Sequence, residues 1–192
     1  CAYLSNPNGS ITISNNAFGC SSMIQLAMAC GITLPCLEEG TYYLTSQFDI
    51  DHFPEVFPAC NNILCNMSIN GNGIVDLDSL SVLVSIGGTL EIIGNDSLTS
   101  LSGLENVTSI EGNLEIGDYS IGNPSLTSLT GLDNLISIGG NLWIFRNTEL
   151  TNLMGLEYLT SIGGYLHIDY NDALTSLAGL EGVTSIAGSL VI

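Results

Sequence analysis

The apolar residues of this chain keep a beat. A Ser-Ile pair recurs at Ser85-Ile86, Ser109-Ile110, Ser137-Ile138, Ser161-Ile162 and Ser185-Ile186, at spacings of 24, 28, 24 and 24 residues. A Leu-x-Ile triplet follows each pair, beginning at Leu90, Leu114, Leu142, Leu166 and Leu190. Each full unit then repeats seven apolar positions: Leu90, Ile92, Leu98, Leu101, Leu104, Val107 and Ile110 in one, and Leu166, Ile168, Leu174, Leu177, Leu180, Val183 and Ile186 in another. The 28-residue unit keeps all seven and adds four residues between Ile116 and Leu126. An insertion confined to one corner is what a coil of stacked turns tolerates.

The spacing argues against helices in the repeats. Five apolar positions from Leu98 to Ile110 are three residues apart. On an α-helix, four such steps drift by roughly 240° and wrap most of the cylinder. Leu-x-Ile alternates with the period of a strand. Gly87-Gly88, Gly139-Gly140 and Gly163-Gly164 supply left-handed or crowded corners. The pattern predicts a mainly β fold, a right-handed parallel β-solenoid with about 24 residues per coil and sheets stacked at about 4.8 Å.

An Asn follows the second strand residue at a fixed place: Asn72, Asn95, Asn147 and Asn171, with Asn123 taking the same place after the insertion. Stacked amides can bond to the backbone of neighbouring coils and satisfy a buried bend. This reading is an asparagine ladder rather than a polar binding row, since Leu-x-Ile-x-x-Asn matches a leucine-rich-repeat signature.

Before the repeats the chain is irregular. Ile11, Ile13 and Asn16 show the pattern once, as if an earlier array ended there. Ser22 to Cys30 reads as a short helix capped by Ser and stopped by Gly31, and Ser46 to Phe57 as a second, shortened or kinked at Pro54. The chain divides into 1–35 as the closing segment of a preceding array, 36–66 as an N-terminal cap and 67–192 as solenoid repeats. Since it halts at Leu190-Val191-Ile192, in mid-coil, it is expected to be a piece of a longer protein.

Composition narrows the function classes. One basic residue, Arg146, stands against 19 acidic ones, for a net charge of −18. Without a basic stripe the chain binds neither nucleic acid nor an anionic membrane surface. No apolar run reaches the 18 residues that direct membrane insertion needs. Six cysteines, Cys1, Cys20, Cys30, Cys36, Cys60 and Cys65, all fall in the irregular part, which favours disulfides and an oxidising compartment over a zinc site.

The stretch CLEEGTYYLTSQFDIDHFPEVFPACNNILCNMSI resembles the capped start of a receptor L domain, the leucine-rich-repeat-like β-helix of growth-factor-receptor ectodomains. The repeats LTSLSGLENVTSIEGNLEI and LTSLAGLEGVTSIAGSLVI are similar to bacterial secreted and surface proteins with tandem arrays. The resemblance implies that Cys36 pairs with Cys60. It leaves Cys1, Cys20, Cys30 and Cys65 unassigned.

Candidate chemistry is sparse. Trp143, Phe145, Tyr165 and His167 are expected to face outward on neighbouring strands, where aromatic side chains stack on sugars, anchor a protein partner or simply brace the sheet. His167 and Asp169 form a surface ion pair rather than an acid–base pair, so no enzyme activity is expected. Asp76, Asp78, Asn95, Asp96, Asn171 and Asp172 are candidate Ca²⁺ ligands in corners, and no other cofactor is expected. Asn8, Asn66, Asn95 and Asn106 lie in N-glycosylation sequons, and Ser79 and Ser97 in Asp-Ser-Leu triplets resembling a bacterial O-glycosylation acceptor. The expected function is a non-catalytic extracellular module of a bacterial surface or secreted protein, recognising a protein or glycan. The alternative is a structural spacer that stacks on itself in a fibre.

Overall fold

The computed structural model describes residues 22–192, a parallel β-solenoid of about six turns with two short helices. One sheet has seven strands in the order β1 (Thr41–Leu44), β3 (Asn66–Ile69), β5 (Leu90–Ile92), β7 (Leu114–Ile116), β9 (Leu142–Phe145), β11 (Leu166–Asp169) and β13 (Leu190–Val191). The other has six: β2 (Asn62–Ile63), β4 (Ser85–Ile86), β6 (Ser109–Ile110), β8 (Ser137–Ile138), β10 (Ser161–Ile162) and β12 (Ser185–Ile186). Every pairing is parallel and joins equivalent residues of successive coils, such as Ile92 with Ile116 and Ile116 with Ile144. The sheet begins at Thr41, one rung before the boundary expected at residue 67, because Thr41–Leu44 already pairs with Asn66–Ile69.

The triplet spacing has a local cause. Between the sheets the chain runs through successive tight turns in which an N–H bonds the carbonyl three residues back: Leu98 to Asn95, Leu104 to Leu101 and Val107 to Leu104. Each turn points one side chain inward, so Leu98, Leu101, Leu104 and Val107 are fully buried with Leu90 and Ile92. Large apolar side chains contribute about 1.5–3 kcal/mol each when buried, so every coil adds to the same continuous core.

One corner demands glycine. Gly131 sits at φ +113°, and a Cβ there would lie 1.9 Å from the Leu101 carbonyl oxygen of the preceding coil. Gly103, Gly155 and Gly179 repeat this arrangement. An acidic side chain two residues on accepts each of these N–H groups: Glu105, Asp133, Glu157 and Glu181. Four of the carboxylates are thereby structural. At the paired glycines the reason is crowding alone, since a Cβ on Gly140 would meet the Gly112 carbonyl carbon at 2.8 Å.

The first helix, α1 (Met23–Cys30), is capped by the Ser22 hydroxyl and ended by Gly31 in the left-handed conformation. The second, α2 (Gln47–Val56), is capped by Ser46 and continues past Pro54 to Val56. Buried Asp49 ties the two together, accepting from the hydroxyls of Ser22, Thr45 and Ser46 and from the Thr45 N–H. Ile24, Ala27, Leu34, Ile50 and Phe53 join the same core as the coils, so the described part of 1–35 packs on the cap. Cys36 and Cys60 form a disulfide across the first coil, with Cα atoms 5.4 Å apart. Cys30 is also disulfide-bonded, and Cys65 is a buried free thiol. Cys1, Cys20 and Asn8 lie outside the described residues. No described helix is long and apolar enough to cross a membrane.

Candidate functional site

The asparagine ladder is built from Asn95, Asn123, Asn147 and Asn171, all buried. Each amide nitrogen donates to an Ile carbonyl of an earlier coil: Asn95 to Ile69, Asn123 to Ile92, Asn147 to Ile116 and Asn171 to Ile144, at 2.8–3.0 Å. Each amide oxygen accepts the backbone N–H of the rung before, as Asn147 does from Asn123 and Asn171 from Asn147. No buried side-chain polar atom among the described residues lacks a partner.

Asn72 does not join the ladder. The step from Met67 to Leu90 is 23 residues, one short of the beat, so Gly71 takes the ladder place and its N–H donates to Asn95. Asn72 is exposed, and its carbonyl accepts from Ser97. The Asn95 sequon amide is no exposed glycan acceptor, because it is fully buried, its nitrogen donating to Ile69 and its oxygen accepting from Gly71. Asn66, Asn106 and Ser97 are exposed, and Ser79 is half-buried. As for the candidate Ca²⁺ corners, no group of three His, Cys, Asp or Glu side chains poised for a metal occurs among the described residues, and the Asn95 and Asn171 amides are spent within the ladder.

The outward face of the seven-stranded sheet carries the chemistry. Register aligns Glu91, Glu115, Trp143 and His167 in one column across β5, β7, β9 and β11. Beside it runs a second hydrogen-bonded row, not foreseen from the repeat. Thr89 N–H bonds Asn66, Asn113 N–H bonds Thr89, Asn141 N–H bonds Asn113 and Tyr165 N–H bonds Asn141, each to a side-chain oxygen one rung back.

Phe145 faces outward, as alternation requires, yet it is fully buried rather than exposed. The four-residue insertion covers it. Tyr119, from that insertion, lies on Phe145 with ring centres 4.6 Å apart, and His167 closes on the same ring at 4.7 Å. Trp143 meets Phe145 edge-on at 6.4 Å and Tyr119 at 6.5 Å. The cluster is therefore Tyr119, Trp143, Phe145 and His167. Tyr165 is half-exposed and makes none of these ring contacts, because it sits on the Asn141 row.

Arg146 fixes the insertion. Its Nε donates to the Tyr119 carbonyl at 2.8 Å, and its guanidinium lies over the Tyr170 ring, 4.5 Å from the centroid. Arg146 and Tyr170 both adopt φ 56°, in the slot that Gly94 fills at φ 68°. A side chain in this region costs of order 1 kcal/mol, and the stack between the two offsets it. Asp118 shapes the turn by accepting from the N–H groups of Ser120 and Ile121.

Glu115 stands between the insertion and Glu91. Burial raises its carboxyl above the ordinary range, a hydrogen bond from Asn113 pulls it back, and the charges of Glu91 and Asp118 raise it further. His167 and Asp169 approach at 3.9 Å, the expected surface pair. Comparison of the chain with protein-family models, curated proteins and solved structures finds no match.

Proposed function

We propose that this solenoid is a non-catalytic extracellular recognition module of the receptor-L-domain type, belonging to a bacterial surface or secreted protein. It takes its partner on the outward face of the seven-stranded sheet. One observation carries the reading: a half-exposed Trp143 in a ring cluster that the insertion assembles on the outward sheet face. Amphipathic rings held rigidly on a flat surface are what protein and glycan recognition uses. The disulfide at Cys36 and Cys60 supports an oxidising compartment.

Peptide and glycan arrays probed with the wild-type chain and with Trp143→Ala test this. The expected result is a set of ligands lost in the variant while its melting temperature stays within about 2 °C, since the ring is only partly buried. Equal binding by the two chains overturns it. The second reading, a spacer or fibre subunit, is favoured by the unbroken in-register stacking of both sheets. Fibres of regular axial repeat in electron micrographs of native surface material would support it.

A further inference from the structure

The seven-stranded sheet sets like charges face to face. Glu91 and Glu115 are directly opposed on adjacent parallel strands, one rung or about 4.8 Å apart. Such opposition destabilises a sheet, and the chain offers nothing to neutralise it. Its single Arg is held at the Tyr119 carbonyl and the Tyr170 ring. The His167 ring lies 3.9 Å from the Asp169 carboxylate rather than at the glutamates. Neither carboxylate has the structural duty of Glu105, Asp133, Glu157 and Glu181, whose oxygens cap glycine N–H groups of the corners. Asn113 donates to Glu115 but carries no charge.

The next residue in the same column is Trp143, opposite Glu115, with Tyr119 beside it and Asp118 adjoining in the insertion. Aromatic faces attract cations, Trp most strongly. A guanidinium is planar, stacks on a ring and donates two parallel hydrogen bonds to a carboxylate, and an ammonium makes the same pairing as a point charge.

From this juxtaposition we infer that the outward face of the seven-stranded sheet docks a basic segment of a protein partner, seating an Arg or Lys side chain on Trp143 with its charge against Glu115 and Glu91. The inference rests on the recognition reading above and names its partner chemistry. Charge complementarity selects this occupant over a neutral sugar. A sugar also stacks on Trp and bonds to carboxylates, but it leaves the Glu91–Glu115 repulsion in place, whereas a cation removes it. The net charge of −18 draws basic segments toward the surface.

Trp143 is the only tryptophan of the chain, so its emission reports on the face alone. The full chain is titrated with acetyl-Gly-Arg-Gly-Arg-Gly-amide, with the same peptide carrying neutral citrulline for arginine, and with cellotetraose and chitotetraose. A saturable change with the arginine peptide and none with the citrulline peptide is expected. Glu91→Gln with Glu115→Gln should weaken it about tenfold or more, the loss of a charge-assisted pair. Glu38→Gln with Glu39→Gln removes the same charge from exposed positions in the cap and should change it less than about twofold. Equal weakening by both pairs, or no saturable response to arginine, overturns the inference. A response to an oligosaccharide alone overturns it while leaving recognition by this face intact. If no probe responds and Trp143→Ala also binds the arrays like wild type, both readings fall.

Discussion

Phe145 is buried because Tyr119 lies on it, ring centres 4.6 Å apart. The contact joins the four-residue insertion to the sheet face, and it makes Tyr119 the keystone of the ring cluster. Tyr119→Ala should expose Phe145 and cost about 1–2 kcal/mol, from the lost ring pair and the uncovered apolar surface. Urea unfolding reads the stability. A red shift of Trp143 emission in the native variant reads the local change.

The ladder predicts a sharp contrast between two asparagines of the same motif. Asn147 accepts from the backbone and amide nitrogens of Asn123 and donates to Ile116, Phe145 and Asn171. Asn147→Ala strands several buried polar groups and should cost about 3–5 kcal/mol. Asn72→Ala touches only an exposed side chain and should fall within about 0.5 kcal/mol of wild type. Denaturant midpoints of the two variants check this directly.

Glu115 makes stability depend on pH. Its carboxyl is raised in the folded state by burial and by Glu91 and Asp118. At low pH the folded and unfolded forms are both protonated and Glu115 costs nothing. As pH rises, the unfolded form releases its proton first, so folding loses stability until the folded carboxyl also ionises. Above the unfolded carboxyl's ordinary range the penalty is present, and it is complete once pH passes the raised folded value. Glu115→Gln should therefore melt higher than wild type at pH 7, with the difference vanishing at about pH 3, below the ordinary carboxylate range. Calorimetry at the two values measures it.

The cap relies on its cross-link. Cys36 and Cys60 are 24 residues apart, and by loop-closure entropy the bond is worth about 3.5 kcal/mol. Cys36→Ala with Cys60→Ala should lose that amount in denaturant unfolding. Cys65 is buried, and burial raises its thiol. Iodoacetamide should leave it unmodified in the native chain and label it only once the cap opens, as peptide mass mapping would record.

The repeats were legible because one rule generates them: a side chain every third residue through the turns and every second in the strands. That rule located both sheets, the Asn recurring after each strand marked the ladder from Asn95 to Asn171, and the Ser caps marked both helices. It misplaced Asn72 because a coil one residue short shifts Gly71 into the slot, and a motif match is blind to such a slip. It gave Phe145 its outward direction but not its burial, since Tyr119 reaches it from an insertion that obeys no periodicity. The signal was nevertheless present: a Tyr in an added corner, level with the only tryptophan. Nothing in the pattern marked Arg146 and Tyr170 as left-handed, although Gly94 in the equivalent place hinted at the demand.

The insertion between Gly117 and Asn123 leaves both sheets in register and the ladder unbroken. The stacking of the coils therefore tolerates extra length at that corner, while Tyr119 within it adds cover for Phe145. An engineer could graft other loops there and change what the surface grips without redesigning the scaffold beneath.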